Sequence, residues 1–97
     1  MIKGMPGLSP QAVVTRTGDP LAAPVDDELV MLDPRKGRYF GLNPIGARIW
    51  ELIEEPRSVE SLCARLQAEF DVPDETCRAD VLAFLEQLQR EELVEIR

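Results

Sequence analysis

Histidine is absent from the 97 residues. The chain therefore lacks the side chain that titrates nearest neutral pH and the commonest metal ligand. Chemistry here would fall to carboxylates, Lys, Tyr39 or cysteine. Cysteine is scarce as well: Cys63 and Cys77 stand fourteen positions apart, with no C-x-x-C pair and no further Cys or His ligands. No zinc or other metal site is expected. Two reduced, buried, structural thiols are expected instead, because free cysteine behaves as a small hydrophobe. No apolar run approaches the roughly 18–20 residues of a membrane span. The opening MIKGMPGLSP carries one lysine but no apolar stretch like that of a signal peptide. A cytoplasmic protein is expected.

Positive charge is in short supply. Eleven Lys and Arg against eighteen Asp and Glu leave a net charge of −7, which weighs against nucleic acid or an anionic membrane as the main partner. With 44% hydrophobic and 30% charged residues, the composition fits a soluble chain with one modest core. Its length allows one domain. The N-terminal Gly4, Pro6, Gly7 and Pro10 mark residues 1–11 as a flexible segment ahead of a domain spanning 12–97.

The two halves differ. Residues 1–50 hold five acids and six bases, whereas residues 51–97 hold thirteen acids and five bases. All six glycines lie at or before Gly46, and six of the eight prolines at or before Pro44. Turns and strands are thus expected first and helices second. Ala12–Arg16, Glu28–Leu32 and Arg38–Leu42 read as strands, and Gly18–Pro24 as a loop. Between the second and third strands, Asp33-Pro34-Arg35-Lys36-Gly37 has the residues of a hairpin turn: Asp to open it, Pro to preset φ, Gly for positive φ.

From Asn43 the pattern turns helical. Asn43-Pro44 is an N-cap followed by proline at the first helical position, and Ile45, Ile49, Leu52 and Ile53 follow on one stripe up to Pro56. Ser58 caps a second helix with Val59, Leu62, Cys63, Leu66 and Phe70 on its stripe. Asp74 is expected to cap a third, with Cys77, Val81, Phe84, Leu85 and Leu88. Leu93–Ile96 reads as a last short strand. Three amphipathic helices bury their stripes only against one another and a sheet face. The expected fold is α+β, winged helix-turn-helix-like, with a three-stranded antiparallel sheet followed by a three-helix bundle.

Nothing in this pattern forms a catalytic constellation. Glu51, Glu54, Glu55, Glu86, Glu91 and Glu92 occupy solvated helix faces or helix ends. There is no G-x-S-x-G and no phosphate-cradling glycine loop, so neither catalysis nor a cofactor is expected. A winged-helix DNA-binding regulator is the alternative reading of the fold. Its recognition helix would run from Glu75 to Glu92 with five acids against Arg78 and Arg90, which repels the phosphates it must approach. Polypeptide binding fits better. If sheet order follows the chain, Arg38–Leu42 is an edge strand, open to an extended peptide by β-augmentation. Alternation sends Phe40 and Leu42 to one face and Tyr39 and Gly41 to the other; the same residues equally serve as ordinary core and packing residues.

Three stretches together resemble the PqqD family. They are Leu29-Val30-Met31-Leu32-Asp33 with the run from Gly37 through Leu42-Asn43-Pro44 to Ile53; Ser58-Val59-x-x-Leu62-x-x-x-Leu66; and Asp80-Val81-x-x-Phe84-Leu85-x-x-Leu88. The resemblance spans roughly residues 12–97. Members are precursor-peptide recognition proteins of pathways that modify ribosomally made peptides, including quinone-cofactor (PQQ) and lasso-peptide biosynthesis. The resemblance implies a non-catalytic peptide chaperone. Its partners would be the leader of a precursor peptide and a radical S-adenosylmethionine enzyme or lasso-type leader peptidase. The leader would add as a strand beside Arg38, Tyr39, Phe40, Gly41 and Leu42, against a helix wall of Arg78, Val81, Leu82 and Leu85. The unpaired edge and the Pro/Gly-rich N-terminal third also permit a homodimer formed by strand exchange.

Overall fold

A computed structural model describes residues 9, 11–26 and 28–97. Most of the expected flexible segment, 1–11, lies outside the described residues. The elements run β1 (Val13–Arg16), β2 (Leu21–Val25), β3 (Glu28–Asp33), β4 (Arg38–Leu42), α1 (Pro44–Leu52), β5 (Arg57–Ser58), α2 (Val59–Glu69), α3 (Asp74–Arg90) and β6 (Val94–Ile96). The fold is α+β, as expected, but it carries two antiparallel sheets in the orders β2-β3-β4 and β5-β1-β6.

The β3–β4 hairpin forms as its turn residues dictate. The Asp33 carbonyl accepts from the amides of Gly37 at 2.9 Å and Lys36 at 3.3 Å, while Asp33 Oδ1 accepts from the Arg35 amide at 3.0 Å. Gly37 holds φ at +65°, which glycine adopts without steric penalty. Register runs from Asp33 opposite Arg38 to Leu29 opposite Leu42.

The other flank of β3 corrects the loop expected over Gly18–Pro24. Leu21–Val25 is a strand, pairing from Leu21 opposite Leu32 to Val25 opposite Glu28. Proline at position 24 is tolerated because β2 is an edge strand. Its hairpin turns at Asp26, with φ of 56°, a conformation Asp accepts more readily than most residues. The expected first strand moves to the second sheet. There β1 pairs with β6 (Val14 opposite Ile96) and with β5 (Val13 opposite Ser58). β6 matches the short strand expected at Leu93–Ile96, but the partners lie so far along the chain that no local pattern announces the pairing.

Helix entry follows the capping residues at two of three places. Asn43 Oδ1 accepts from the Gly46 amide at 2.8 Å, and Ser58 Oγ accepts from the Ser61 amide at 3.0 Å. The third differs: Pro73 occupies the N-cap with no side-chain hydrogen bond, and Asp74 is the first helical residue. Its carboxylate bonds Arg78 Nε one turn on, at 3.0 Å, and gains from the helix dipole. α3 ends in a Schellman closure. The Leu93 and Glu92 amides donate to the Leu88 and Gln89 carbonyls, with Glu92 at φ 62°.

The core lies where α1 packs on β3 and β4, α3 packs on α2 and β6, and all three helices meet. Met31, Ile49, Ile53, Leu62, Leu66, Val81, Leu85 and Leu93 are fully buried there. Both cysteines are free and buried, with Cys77 Sγ 3.8 Å from the Cys63 carbonyl oxygen. Burial, then the neighbouring Cys77, push the Cys63 thiol up to about 11. The outward face of the β2-β3-β4 sheet is apolar in its first row, where Leu21, Leu32 and Tyr39 lie side by side and exposed. No helix among the described residues is long and apolar enough to cross a membrane.

Replacing Asn43 by Ala should lower the unfolding free energy by about 1 kcal/mol, the usual worth of a side-chain N-cap. Urea titration at neutral pH measures it; an unchanged midpoint would show that the cap contributes nothing.

Candidate functional site

Strand β4 has a neighbour on one side only. Its partner is β3, and among the described residues no strand pairs with its other edge. Alternation works as the sequence implies. Leu42 is buried and Phe40 packs half-buried against the core, whereas Tyr39 is 74% exposed and Gly41 is open. The strand is held from below by side chains and leaves backbone groups free along its edge, which is the condition for pairing with a further strand.

Helix α3 runs beside β4 in the opposite direction, as contacts at the two ends establish. Arg38, at the start of β4, pairs with Glu91 just past the end of α3, Nη2 to Oε2 at 3.2 Å. Leu42, at the end of β4, meets α3 through Gly46: a Cβ placed on Gly46 would sit 3.6 Å from Leu42 Cβ and 3.5 Å from Phe84 Cε1. At this second end a cavity of about 280 Å³ opens between the first turns of α1 (Asn43, Ile45, Gly46, Ile49) and one face of α3 (Asp80, Ala83, Phe84, Gln87). Ile45, Ala83 and Phe84 give its walls apolar surface, and Asn43, Asp80 and Gln87 give a comparable share of polar surface. That mixture can take a side chain with an apolar body while its rim meets polar groups.

All five strand residues singled out in the sequence, Arg38 to Leu42, therefore lie together on one open edge. The four helix residues do not form one wall. Val81 and Leu85 have no exposed surface and support the helix from within the core. Leu82 is half-buried, and exposed Arg78 is held by Asp74. The cavity is lined instead by Asp80, Ala83, Phe84 and Gln87, spaced i, i+3, i+4 and i+7 and rotated about one residue from the core stripe. Apolarity led the sequence reading to the core stripe, because the cavity face is mixed in character. The missed signal was that Asp80, Ala83, Phe84 and Gln87 make a second stripe at helical spacing.

Electrostatic contacts fix the hairpin relative to α3. Lys36 Nζ reaches Glu92 Oε1 at 3.0 Å and the Glu91 carbonyl at 3.3 Å, and Lys36 holds the Glu92 carboxyl below its ordinary range. Arg48 bridges α1 to α2 by grasping Glu69 at 2.7 Å and also holds Glu51 at 3.2 Å.

A scan against known families matches residues 28–94 to the family described as coenzyme PQQ synthesis protein D (PqqD). The chain belongs to the PqqD family. Among curated proteins none matches it. Two solved structures resemble it. One, described as TbiB1 in complex with the TbiA(beta) leader peptide, is 37% identical with a TM-score of 0.71, over 84% of this chain and 94% of that one. The other, lasso peptide synthetase B1 complexed with the leader peptide, is 23% identical with a TM-score of 0.71, over 84% of this chain and 96% of that one. At that identity the second supports the PqqD-type fold alone.

Asp33 anchors the hairpin that carries the β4 edge, and it is 2% exposed. Burial pushes its carboxyl up, but the Arg35 amide and guanidinium, with the Lys36 charge, outweigh burial and hold it below the usual carboxylate range. A depressed folded pKa contributes stability above the unfolded value, about 3.9, and loses it as pH falls through the folded value. Urea midpoints should therefore fall below about pH 4, and Asp33→Asn should shrink that fall. An identical acid limb in Asp33→Asn would remove Asp33 from the acid sensitivity.

Proposed function

We propose that this chain is a non-catalytic leader-peptide recognition protein. In this reading it captures the leader of a ribosomally synthesised precursor by strand addition to the free edge of β4 and delivers it to an enzyme. The observation that carries the reading is the open β4 edge, lying near a cavity of mixed lining walled by α1 and α3. A chain 37% identical, solved with a leader peptide bound, supports it. Of the two edges of the β2-β3-β4 sheet, β4 suits a guest better. β2 contains Pro24, which lacks an N–H to donate, whereas β4 has no proline and a helix at its flank.

Main-chain pairing over about five residues gives sequence-tolerant attachment, and the cavity adds selectivity by taking one guest side chain. Arg38, Tyr39, Phe40, Gly41 and Leu42 supply the strand. From α3, the exposed surface near the guest comes from Ala83, Phe84 and Gln87, with Leu82 and Arg78 further round and Val81 and Leu85 underneath. Ordering an extended leader opposes binding, so dissociation constants near the micromolar scale, about −8 kcal/mol, are expected. The recipient of the bound precursor is a radical S-adenosylmethionine enzyme or a leader peptidase of the lasso type, acting while the chaperone holds the leader.

Titration of the leader encoded beside this gene should shift the amides of residues 38–42 and 82–87 in a heteronuclear NMR spectrum. Ala83→Trp, at an exposed position on the cavity rim, should weaken binding at least tenfold with little change in the urea midpoint. Leader-induced shifts confined to β1, β5 and β6 would reject the groove.

A further inference from the structure

The open edge of β4 starts at an exposed arginine and ends near a cavity with a carboxylate on its rim; beside that arginine, Lys36 is already paired with Glu92. At the cavity end stands Asp80, an exposed carboxylate on the rim. At the other end stands Arg38, whose side chain is 60% exposed and whose ion-pair partner among the described residues is Glu91. Glu91 takes one nitrogen of a guanidinium that carries five N–H donors. The same protein shows that one arginine can hold two carboxylates: Arg48 donates through Nε and Nη2 to Glu69 and through Nη1 to Glu51. Arg38 therefore has donors to offer a second carboxylate without releasing Glu91.

Arg38 shares its strand face with Phe40 and Leu42, the side turned toward the core and α3. A strand added to β4 follows the same two-residue alternation. Its side chains on that face would meet Arg38 at one end and, at the other, come beside Leu42, which adjoins the cavity-lining Gly46. Arg38 and Leu42 are four positions apart, about 13 Å at strand rise. Resting on the strand-addition reading, we infer that Arg38 is a specificity-determining residue. It selects guests with an Asp or Glu four positions from the apolar side chain that fills the α1–α3 cavity. Asp80 enforces the same choice from the opposite end, because a guest bound in reverse or shifted by four places its carboxylate against another. The spacing of four holds for either strand direction. The order, acid before or after the apolar residue, reports which direction the guest runs.

The test is a selection from random twelve-residue peptides displayed on phage, against the full chain and against its Arg38→Glu variant. The full chain should enrich peptides with an acidic residue four positions from a large apolar one. Arg38→Glu should replace that acid with Lys or Arg at the same spacing. For a synthetic peptide from the winning set, Arg38→Glu should weaken binding roughly tenfold, and exchanging the peptide's acid for Lys should restore it. Arg38→Gln should give an intermediate loss. Both variants lose the tie to Glu91 and should show a modestly lower urea midpoint, whereas restoration of binding by the charge-exchanged peptide separates recognition from folding. Peptides that shift β4 amides but show no charge preference at that spacing would overturn the inference while leaving the groove intact. Enriched peptides that leave β4 amides unmoved would overturn the strand-addition reading itself.

Discussion

An edge strand can act as a template only if it stays in place with a neighbour on one side, and β4 is fixed by what lies beneath and beside it. Leu42 is sunk in the core, Phe40 packs over it, and Met31 of β3 is fully buried opposite Phe40. Proline starts α1 immediately after the strand, with Asn43 closing the first helical turn. The strand's far end is tied by Lys36 and Arg38 to the two glutamates at the end of α3. Each tie is modest by itself, since partly exposed ion pairs contribute about 1 kcal/mol or less. Acting at both ends of a five-residue strand, they leave little room for it to fray.

Charge is segregated accordingly. The acidic surplus of the second half is spread over helix faces and ends, and four bases of the first half hold elements together. Lys36 and Arg38 join the hairpin to α3, Arg48 joins α1 to α2, and Arg16 lies 4.1 Å over the Trp50 ring while bonding its carbonyl. The scarcity of positive charge that argues against a nucleic-acid partner thus also gives nearly every buried or half-buried arginine a structural position. Arg38, by contrast, combines an interelement tie with a largely exposed head.

Much of this was legible in the sequence, for reasons that differ element by element. The Asp33–Gly37 turn and the Asn43 and Ser58 caps are local chemistry, complete within five residues, and they form as read. β2 was illegible because Ala22, Ala23 and Pro24 have little strand preference; register against β3, a tertiary fact, makes them a strand. The second sheet was illegible because β1 finds partners more than forty residues away. At the site, the strand could be read because β4 is marked by its turn and its alternation. The helix face was missed because the apolar stripe of Val81 and Leu85 meets the core, whereas the mixed stripe one residue round, with Ala83 and Gln87, meets the cavity.

The adjoining thiols of Cys63 and Cys77 join α2 to the helix that flanks β4. Only the thiolate attacks an alkylating reagent, and a group whose pKa lies near 11 in a closed interior presents almost none. Iodoacetamide uptake at neutral pH is thereby coupled to separation of these two helices, and it makes the native chain its own stopwatch for how often that seam breathes.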